Sequence, residues 1–230
     1  MSLARLLDVR VKQFFQDRWF VRQGRTVPSA ESIGMKNIGV NVHLTILYAD
    51  MVGSTKLVDE YPPEFAASIY KSYLFSAAKI IRKYSGEICS YDGDRIMAVF
   101  QGAKSEERSV RAALGLNYFV QEVINLRLVE ANPRTLYRLG HRIGIDAGSV
   151  LVVQAGIRGG NDLIWVGRAA NHAAKLADIK SEYSIHITED VYRLLPEQYR
   201  TAGDQFPIWH LHTLQDSGRR IYCTSIGQAF

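Results

Sequence analysis

The residues best suited to chemistry in this sequence begin with an aspartate that ends a hydrophobic strand. Asp50 closes the apolar run VHLTILYAD and is followed at once by Met51 and the turn VGST, residues 52–55. A carboxylate at the carboxyl end of a strand, facing a loop of backbone N–H groups, is typical of phosphate and metal sites in α/β proteins. The alternative is that Asp50 only caps the following helix, a common use of aspartate before serine and threonine.

A second aspartate, Asp94, follows an Asp-Gly turn in the segment EICSYDGDRIMAVF, residues 87–100. The dipeptide Asp92-Gly93 between two hydrophobic runs predicts a tight β-hairpin. In a βαββ unit the first strand lies beside such a hairpin, so Asp50 and Asp94 are expected at one edge of the sheet. Two carboxylates beside backbone carbonyls suit Mg²⁺ or Mn²⁺. Taken alone, Asp92 and Asp94 favour the alternative of a purely structural turn.

The elements that must position these residues follow from the hydrophobic pattern. Their order is β-α-β-β-α-β with additions, which predicts an α+β fold with a ferredoxin-like sheet and helices on one face. The pattern predicts a strand over 42–50, a helix over 63–84, the hairpin at 87–100, a helix over 104–129, two strands around a turn within 138–156, a loop with LIWVG at 163–167, a helix over 168–179, a strand over 184–188, a short helix and two terminal strands.

Residues 1–41 are predicted to form an N-terminal helix and a wrapping arm, and residues 42–230 the main domain. Apolar residues at helical spacing make residues 2–19 an amphipathic helix, which must bury its stripe on the main domain or on another subunit. The segment VRQGRTVPSAESIGMKNIG, residues 21–39, is punctuated by Gly, Pro and Ser and is expected to be extended.

Composition narrows the class of protein. With 230 residues, 47% hydrophobic and 22% charged, the chain suits one soluble globular domain. The net charge of +5 suits an anionic ligand, but no basic run is interleaved with aromatics, so nucleic-acid binding is not favoured. Cys89 and Cys223 lie far apart without disulfide-scaffold spacing, and the N-terminus has neither a signal-peptide nor a membrane-span pattern. We therefore expect a cytoplasmic protein that is not bound to a membrane.

Four segments together resemble the successive motifs of the class III nucleotidyl cyclase catalytic domain. They are YADMVGST (48–55), EICSYDGDRIMAVF (87–100), HRIGIDAG (141–148) and WVGRAANHAAKL (165–176). They occur in the family's order and approximate spacing and cover residues 42 to about 190. The resemblance implies that Asp50 and Asp94 bind two Mg²⁺ or Mn²⁺ ions per site, with the Met51 carbonyl as a further ligand. It also implies that backbone N–H groups hold the triphosphate, namely those of Val52, Gly53, Ser54 and Thr55.

The last two motifs resemble the parts of the family's site that act on phosphate and ribose. Arg142 stands where the family has a phosphate-binding arginine, and Asn171 where it has the asparagine that orients the ribose. Lys175 replaces an arginine that stabilises transition-state charge, so a point charge remains but the guanidinium fork is lost. A solvated strand-end charge for Arg142 and an ordinary helix lysine for Lys175 are the structural alternatives. Family sites form between two domains, which implies a head-to-tail homodimer with two sites.

The positions that read the base depart from the family. Ser90 stands where adenylyl cyclases have lysine, and Ile164 where they have aspartate or threonine, or Trp165 or Asp162 if the loop gaps differently. Tyr48 lies two residues before Asp50 and so points to the same face of a strand. One hypothesis is that Tyr48, Ile164 and Trp165 narrow the pocket to a single-ring base. The alternative is that Tyr48 is a core aromatic.

The arm and first strand, residues 22–58, resemble the pyrimidine cyclases of bacterial Pycsar antiphage systems. That resemblance implies a pyrimidine triphosphate substrate and a cyclic nucleotide product that a separate effector protein reads after phage infection. We favour UTP over CTP because uridylate cyclases are the commoner type in that family. The alternatives are a cytidylate cyclase, an adenylyl or guanylyl cyclase, a catalytically silent binding domain, and a nucleic-acid polymerase palm.

Overall fold

The protein is described by a computed structural model that covers residues 1–157, 160–202 and 206–230. The chain forms two compact units, one of residues 1–43 with 149–168 and one of residues 44–148 with 169–230. The strands are β1 (Phe20–Gln23), β2 (Ile38–Val52), β3 (Glu87–Asp92), β4 (Arg95–Phe100), β5 (Gly140–Ile157), β6 (Gly160–Val166), β7 (Ile185–Thr188), β8 (Thr201–Ala202), β9 (Phe206–Pro207), β10 (His210–Thr213) and β11 (Arg220–Thr224). The helices are α1 (Leu3–Gln16), α2 (Ala30–Ile33), α3 (Ser54–Glu60), α4 (Pro63–Lys83), α5 (Ser105–Tyr118), α6 (Asn125–Ala131), α7 (Arg168–Ala177) and α8 (Glu189–Arg193).

The larger unit is built on a mixed sheet whose strand order is β10-β11-β7-β5-β2-β4-β3. Strand β4 runs antiparallel to both β2 and β3, whereas β7 runs parallel to β5. This is the α+β arrangement with a β3–β4 hairpin beside the first strand of the motif. Alternation along β2 places Leu47, Ala49 and Met51 in the main core. Tyr48 and Asp50 consequently lie on the opposite face of the sheet.

Helix α4 supplies much of the core beneath the candidate site. Its buried residues recur every three or four positions, which gives one continuous apolar stripe. Pro63 occupies the start of the helix, where a missing N–H costs nothing. The stripe consists of Ala66, Ile69, Tyr73, Ser76, Ala77, Ile80 and Ile81.

The predicted turn within residues 138–156 is wrong, because β5 runs unbroken from Gly140 to Ile157. A side chain at Gly144 would meet the backbone of α7, with its Cβ 2.1 Å from the carbonyl oxygen of Ala173. The glycine is therefore needed for close helix packing and not for a turn. The residues predicted as a loop at 163–167 lie largely in β6, and the helix predicted at 104–129 contains a π-helical turn, Phe119–Ile124.

The smaller unit contains more regular structure than the extended arm that the sequence predicts. Strand β1 pairs in parallel with the start of β2, with Phe20 opposite Ile38, so β2 begins four residues before the predicted start. The Asn37 side-chain amide donates to the carbonyl oxygens of Phe14 and Asp17 at 3.1 and 2.9 Å, which caps the end of α1. Helix α1 itself buries no residue.

Two further properties concern the described ranges as a whole. Within residues 1–157, 160–202 and 206–230, no helix combines the length and apolar character needed to cross a membrane. Within those ranges neither Cys89 nor Cys223 takes part in a disulfide bond.

Candidate active site

Asp50 forms an ion pair with an arginine on the neighbouring strand. Arg95 of β4 donates to Oδ2 of Asp50 from Nη2 at 2.8 Å and from Nε at 3.3 Å. The same Nη2 donates to Oδ1 of Asp178, directly after α7, at 2.6 Å. Arg95 therefore bridges the candidate metal ligand and the end of α7. The sequence motifs do not single out Arg95 or Asp178, and the only signal for Arg95 is its place directly after Asp94.

The electrostatics around Asp50 favour a bound cation. Burial raises the pKa of Asp50 above its ordinary value, the Arg95 hydrogen bonds and charge lower it, and the charges of Asp94 and Asp178 raise it. Asp50 and Asp94 thus lie within electrostatic reach of one another, as the hairpin geometry predicts. Burial and the neighbouring negative charges thus oppose ionisation of Asp50, and a cation beside it would favour the carboxylate form.

The donor set fits magnesium or manganese. Both ions prefer oxygen ligands, and Mg²⁺ is usually held by one or two carboxylates that substrate phosphates and water supplement. The Met51 side chain is buried in the core, so only its carbonyl is available toward the site. In the described ranges no group of three or more His, Cys, Asp or Glu side chains is placed to hold a metal ion. Asp50 and Asp94 would therefore share the ion with the nucleotide.

The loop after Asp50 has the geometry of an anion site. Gly53 precedes α3 in the left-handed conformation, with φ of 74°, which is easy for glycine and costly for other residues. Its carbonyl accepts the N–H of Leu57 at 3.0 Å and so starts the helix. Helix geometry leaves the first N–H groups without an intrahelical acceptor, including those of Ser54 and Thr55. With Val52 at the end of β2, this is the strand-loop-helix arrangement expected for phosphate.

Two candidate base-reading residues lie in one row across the sheet. Tyr48 of β2 and Ser90 of β3 both pair with Met97 of β4, so the three side chains share the face that carries Asp50. The Arg95 guanidinium carbon lies 6.0 Å from the centre of the Tyr48 ring. Burial raises the pKa of the Tyr48 hydroxyl, a charge on Cys89 adds to the rise and Arg95 opposes it. The hydroxyl therefore stays protonated at neutral pH.

The other proposed base contacts belong to the smaller unit. Ile164 and Trp165 of β6 pair with Val153 and Val152 of β5. Successive strand residues point to opposite faces, so only one of these two side chains can face a given pocket. The side-chain carboxylate of Asp162, the further alternative, accepts the N–H of Leu163 at 2.7 Å.

The three residues expected to act on phosphate and ribose lie in the larger unit. Arg142 is half-buried on β5, and its Nη2 donates a long hydrogen bond of 3.5 Å to the carbonyl oxygen of Ser181. Asn171 and Lys175 are exposed on α7. Within the part of the chain that the structure describes, neither the Asn171 side chain nor the Lys175 side chain makes a hydrogen bond or an ion pair, although the Lys175 carbonyl accepts the N–H of Asp178 at 3.2 Å. Helix α7 thus presents both side chains to solvent.

Comparison with known proteins agrees with this geometry. Residues 40–208 match the family profile of the adenylate and guanylate cyclase catalytic domain. The chain is 42% identical over 204 residues to a protein of Xanthomonas perforans named uridylate cyclase, covering 88% of each chain. It is 38% identical over 227 residues to a uridylate cyclase of Burkholderia cepacia, covering 98% of each chain. The crystal structure of the guanylyl cyclase Cya2 has the same fold, with a TM-score of 0.69 at 21% identity over 83% of this chain and 95% of that one. The chain therefore belongs to the adenylate and guanylate cyclase catalytic domain family, the class III nucleotidyl cyclases.

Proposed function

We propose that this protein is a uridylate cyclase that converts UTP to 3′,5′-cyclic UMP and pyrophosphate. The observation that carries the proposal is similarity over nearly the whole chain, since the Burkholderia cepacia uridylate cyclase aligns with 98% of it. Proteins related at this level over their full length commonly share a substrate class, whereas fold alone does not imply function.

The side chains of Tyr48, Met97 and Ser90, which lie in one row across the sheet, support the proposal that the substrate carries a single-ring base. The bulk of Tyr48 and Met97 on the Asp50 face leaves less room for a two-ring purine, and a steric clash discriminates strongly against the larger ligand. The protonated Tyr48 hydroxyl can donate to a uracil carbonyl oxygen, and Ser90 can donate or accept. The lysine with which adenylyl cyclases of the family read adenine is replaced by Ser90.

The chain's own residues divide the work of cyclisation. Class III cyclases use two divalent metal ions, which activate the ribose 3′-hydroxyl and neutralise phosphate charge. We assign the metal carboxylates to Asp50 and Asp94, and we propose Mg²⁺ or Mn²⁺ as the ions. The loop 51–55 holds the triphosphate by its backbone N–H groups.

The remaining polar residues orient the nucleotide. Arg142 binds phosphate, Asn171 orients the ribose, and Lys175 places a positive charge near the phosphate oxygens that gain charge in the transition state. Lysine is a point charge without the planar fork of arginine, so we expect electrostatic help at Lys175 without bidentate geometry.

The proposed active form is a head-to-tail homodimer. Class III cyclase domains act as dimers, and both the metal half and the ribose half of the site occur once in this chain. The exposed side chains of Asn171 and Lys175 then act on the nucleotide held by the partner's Asp50 and Asp94. Helix α1 also suits an interface between subunits, because its apolar residues are at least 44% exposed in the single chain, namely Leu3, Leu6, Leu7, Val9, Val11, Phe14 and Phe15.

The substrate is tested with the purified protein and each of ATP, GTP, CTP and UTP, in Mg²⁺ and in Mn²⁺, with chromatographic identification of the cyclic product. Cyclic UMP from UTP is the expected product. Cyclic CMP would show that the substrate is CTP instead of UTP, and a purine cyclic nucleotide would contradict the proposal that the pocket is too narrow for a two-ring base. The Tyr48→Ala variant should discriminate less against ATP and GTP. If its preference among the four triphosphates equals that of the wild type, Tyr48 does not select the base.

The dimer is tested by complementation. Asp50→Ala and Asn171→Ala should each be inactive alone. Mixed and re-equilibrated in equal amounts, they should recover roughly a quarter of the wild-type turnover, because half of the dimers are mixed and each mixed dimer carries one complete site. No recovery from subunits that demonstrably exchange would contradict a site shared between two chains.

We further propose that cyclic UMP made by this enzyme in the cytoplasm is a second messenger in antiphage defence, read by a separate effector protein. The resemblance of residues 22–58 to the Pycsar cyclases supports this role. Cells that express the protein should accumulate cyclic UMP after phage infection, whereas Asp50→Ala cells should not. An unchanged cyclic UMP level after infection would remove the defence role and leave the enzymatic activity untouched.

A further inference from the structure

Strand β3 contains a β-bulge that the sequence motifs do not predict. Ile88 pairs with Ala98 of β4, and the next paired residue, Ser90, lies opposite Met97, which directly precedes Ala98. Cys89 falls between the two pairs and is the extra residue of the bulge. In a regular strand Ile88 and Ser90 would share one face and Cys89 would lie on the other. The bulge therefore changes which side chains of β3 share a face.

Cys89 and Ser90 both lie on the nucleotide face, by which we mean the face of the sheet that carries Tyr48 and Asp50. Ile88 packs against the main core, so Cys89, the next residue, points away from that core. Ser90 is placed on the nucleotide face by its cross-strand pairing, which puts it in the same row as Tyr48. Two consecutive side chains of β3 thus face the nucleotide, where a regular strand would present one.

The Cys89 thiol lies close to the Tyr48 hydroxyl. Burial raises the pKa of that hydroxyl, Arg95 opposes the rise, and a negative charge on Cys89 adds to it, so the thiol and the hydroxyl are within electrostatic reach of each other. The Cys89 side chain is half-buried. Its Sγ lies 3.8 Å from the carbonyl oxygen of Glu87, a long contact for a weak donor. A contact this weak does not account for the bulge.

The chemistry of the thiol suits contact with a base. Bulges are common beside active sites, where they re-aim a side chain. A cysteine side chain behaves as a small apolar group, so it can pack against a flat ring without competing for the polar groups at the edge of that ring. Tyr48 and Ser90, on either side of the row, carry the hydroxyls that can hydrogen-bond to those groups.

We propose that Cys89 is a further specificity-determining residue of this cyclase, which the bulge in β3 places against the base of the nucleotide, beside Tyr48. The proposal rests on the proposed cyclase function, and it adds a base contact that the family motifs do not contain. Ser90 supplies a polar contact at the edge of the base. Cys89 occupies space that the second ring of a purine would need.

The first test measures how fast iodoacetamide alkylates Cys89 in the full-length protein, without relying on turnover. The sequence has one other cysteine, Cys223, which is 2% exposed and whose thiol pKa burial raises to about 12. The folded protein should therefore react at Cys89, and mass spectrometry identifies the alkylated residue.

The ligands for this test are 3′-deoxy-UTP, 3′-deoxy-CTP and 3′-deoxy-ATP with Mg²⁺, which lack the attacking hydroxyl and cannot be cyclised. Saturating 3′-deoxy-UTP should slow the alkylation of Cys89 about tenfold, because a bound ligand buries most of the surface that it contacts. Inorganic tripolyphosphate with Mg²⁺ has no base and should leave the rate unchanged.

A thiol on the opposite face of β3 provides the matched control. Tyr91 is 54% exposed and pairs with Ile96, whose side chain lies in the main core. In the double variant Cys89→Ser with Tyr91→Cys, the reactive thiol therefore lies on the face away from the nucleotide. 3′-Deoxy-UTP should not slow its alkylation.

The second test measures base preference by calorimetry. Cys89→Ala should raise the affinity for 3′-deoxy-ATP relative to that for 3′-deoxy-UTP about tenfold, the effect of removing one heavy atom from a binding pocket. Cys89→Ser, which keeps a side chain of similar size, should stay close to the wild-type ratio. Ile88→Val trims the neighbouring side chain on the core face, and it should lower stability without changing the ratio.

The proposal is overturned if neither pyrimidine analogue slows the alkylation of Cys89, or if tripolyphosphate or the Tyr91→Cys control gives an equal slowing. A wild-type affinity ratio in Cys89→Ala would also contradict it. If 3′-deoxy-CTP protects Cys89 and 3′-deoxy-UTP does not, the proposed substrate is refuted and the placement of Cys89 is supported. Protection by 3′-deoxy-UTP in a protein that does not cyclise UTP refutes the proposed activity and likewise supports that placement.

Discussion

Gly144→Ala should displace the helix that carries Asn171 and Lys175. A Cβ at Gly144 would lie 2.1 Å from the carbonyl oxygen of Ala173 and 2.5 Å from the backbone nitrogen of Ala177. Both are backbone atoms, so no side-chain rotation relieves the clash. Ordinary contact begins at 3.4 Å. Helix α7 must therefore move away from β5 by about 1.3 Å, the difference between 3.4 and 2.1 Å.

That displacement should cost stability and, to a greater degree, turnover. Overpacking of this kind costs about 1–3 kcal/mol of unfolding free energy. A shift of about 1 Å in catalytic groups can lower turnover about 100-fold. We expect Gly144→Ala to fold, to unfold at lower urea concentration, and to lose about two orders of magnitude in kcat, measured by cyclic nucleotide formation.

Gly148→Ala is the matched control on the same strand. Its Cβ would lie 3.6 Å from Cβ of Ala169, an ordinary contact, so stability and kcat should stay near those of the wild type. Two results would refute the idea that close packing at Gly144 sets the position of α7. One is a wild-type kcat in Gly144→Ala, and the other is a loss of kcat in Gly148→Ala as large as that in Gly144→Ala.

Three further experiments test the proposed metal ligand Asp50, its ion pair with Arg95, and the buried histidines of the fold. Asp50→Asn should abolish turnover and leave the urea midpoint nearly unchanged; measurable turnover would contradict the metal assignment. Arg95→Gln should bind Mn²⁺ severalfold more tightly, because the Arg95–Asp50 ion pair, which competes with the metal ion for Asp50, is partly exposed and is worth about 1 kcal/mol. Electron paramagnetic resonance of free Mn²⁺ measures the affinity. Burial lowers the pKa of His141 to about 3 and of His186 to about 4, so both imidazoles stay neutral in the fold and take up protons only on unfolding. The unfolding free energy should therefore fall as the pH drops below 6.5. For each histidine the fall is about 1.4 kcal/mol per pH unit until the pH reaches the pKa of that histidine in the folded protein. A urea midpoint that does not change between pH 6 and pH 4 would contradict this prediction.

The sequence was sufficient to predict the parts of the site that depend on local chain geometry. General rules about strands, tight turns and left-handed glycine predict three features. These are Asp50 near the end of a strand, the hairpin whose turn contains Asp94, and the loop through Gly53. Four motifs in the correct order then predicted the fold of the class III cyclases, which the structure and the family match confirm.

Residues whose role depends on register or on a packing partner were not predictable. The close packing at Gly144 is not predictable from the sequence, because the absence of a Cβ is compatible with a turn and with close helix packing equally well. Only the position of Ala173 above β5 decides between the two. Arg95 was missed for a similar reason, since its contact with Asp50 depends on how β4 lies in register with β2. Ile164 and Trp165 occupy consecutive positions of β6 and so point to opposite faces, which their predicted place in a loop does not reveal.

Contacts along α7 couple the proposed ribose-binding residues to the proposed metal-binding residues. His172, in the middle of the helix, contacts Asp146, and Asp178, directly after the helix, contacts Arg95, which also binds Asp50. A cation at Asp50 competes with Arg95, but the 2.6 Å contact with Asp178 gives the guanidinium a second partner and keeps it at the end of α7. Without that partner Arg95 would rely on Asp50 alone and compete more strongly for it. Asp178→Asn should therefore weaken Mn²⁺ binding, whereas Arg95→Gln strengthens it, and a change in the same direction for both variants would contradict this coupling.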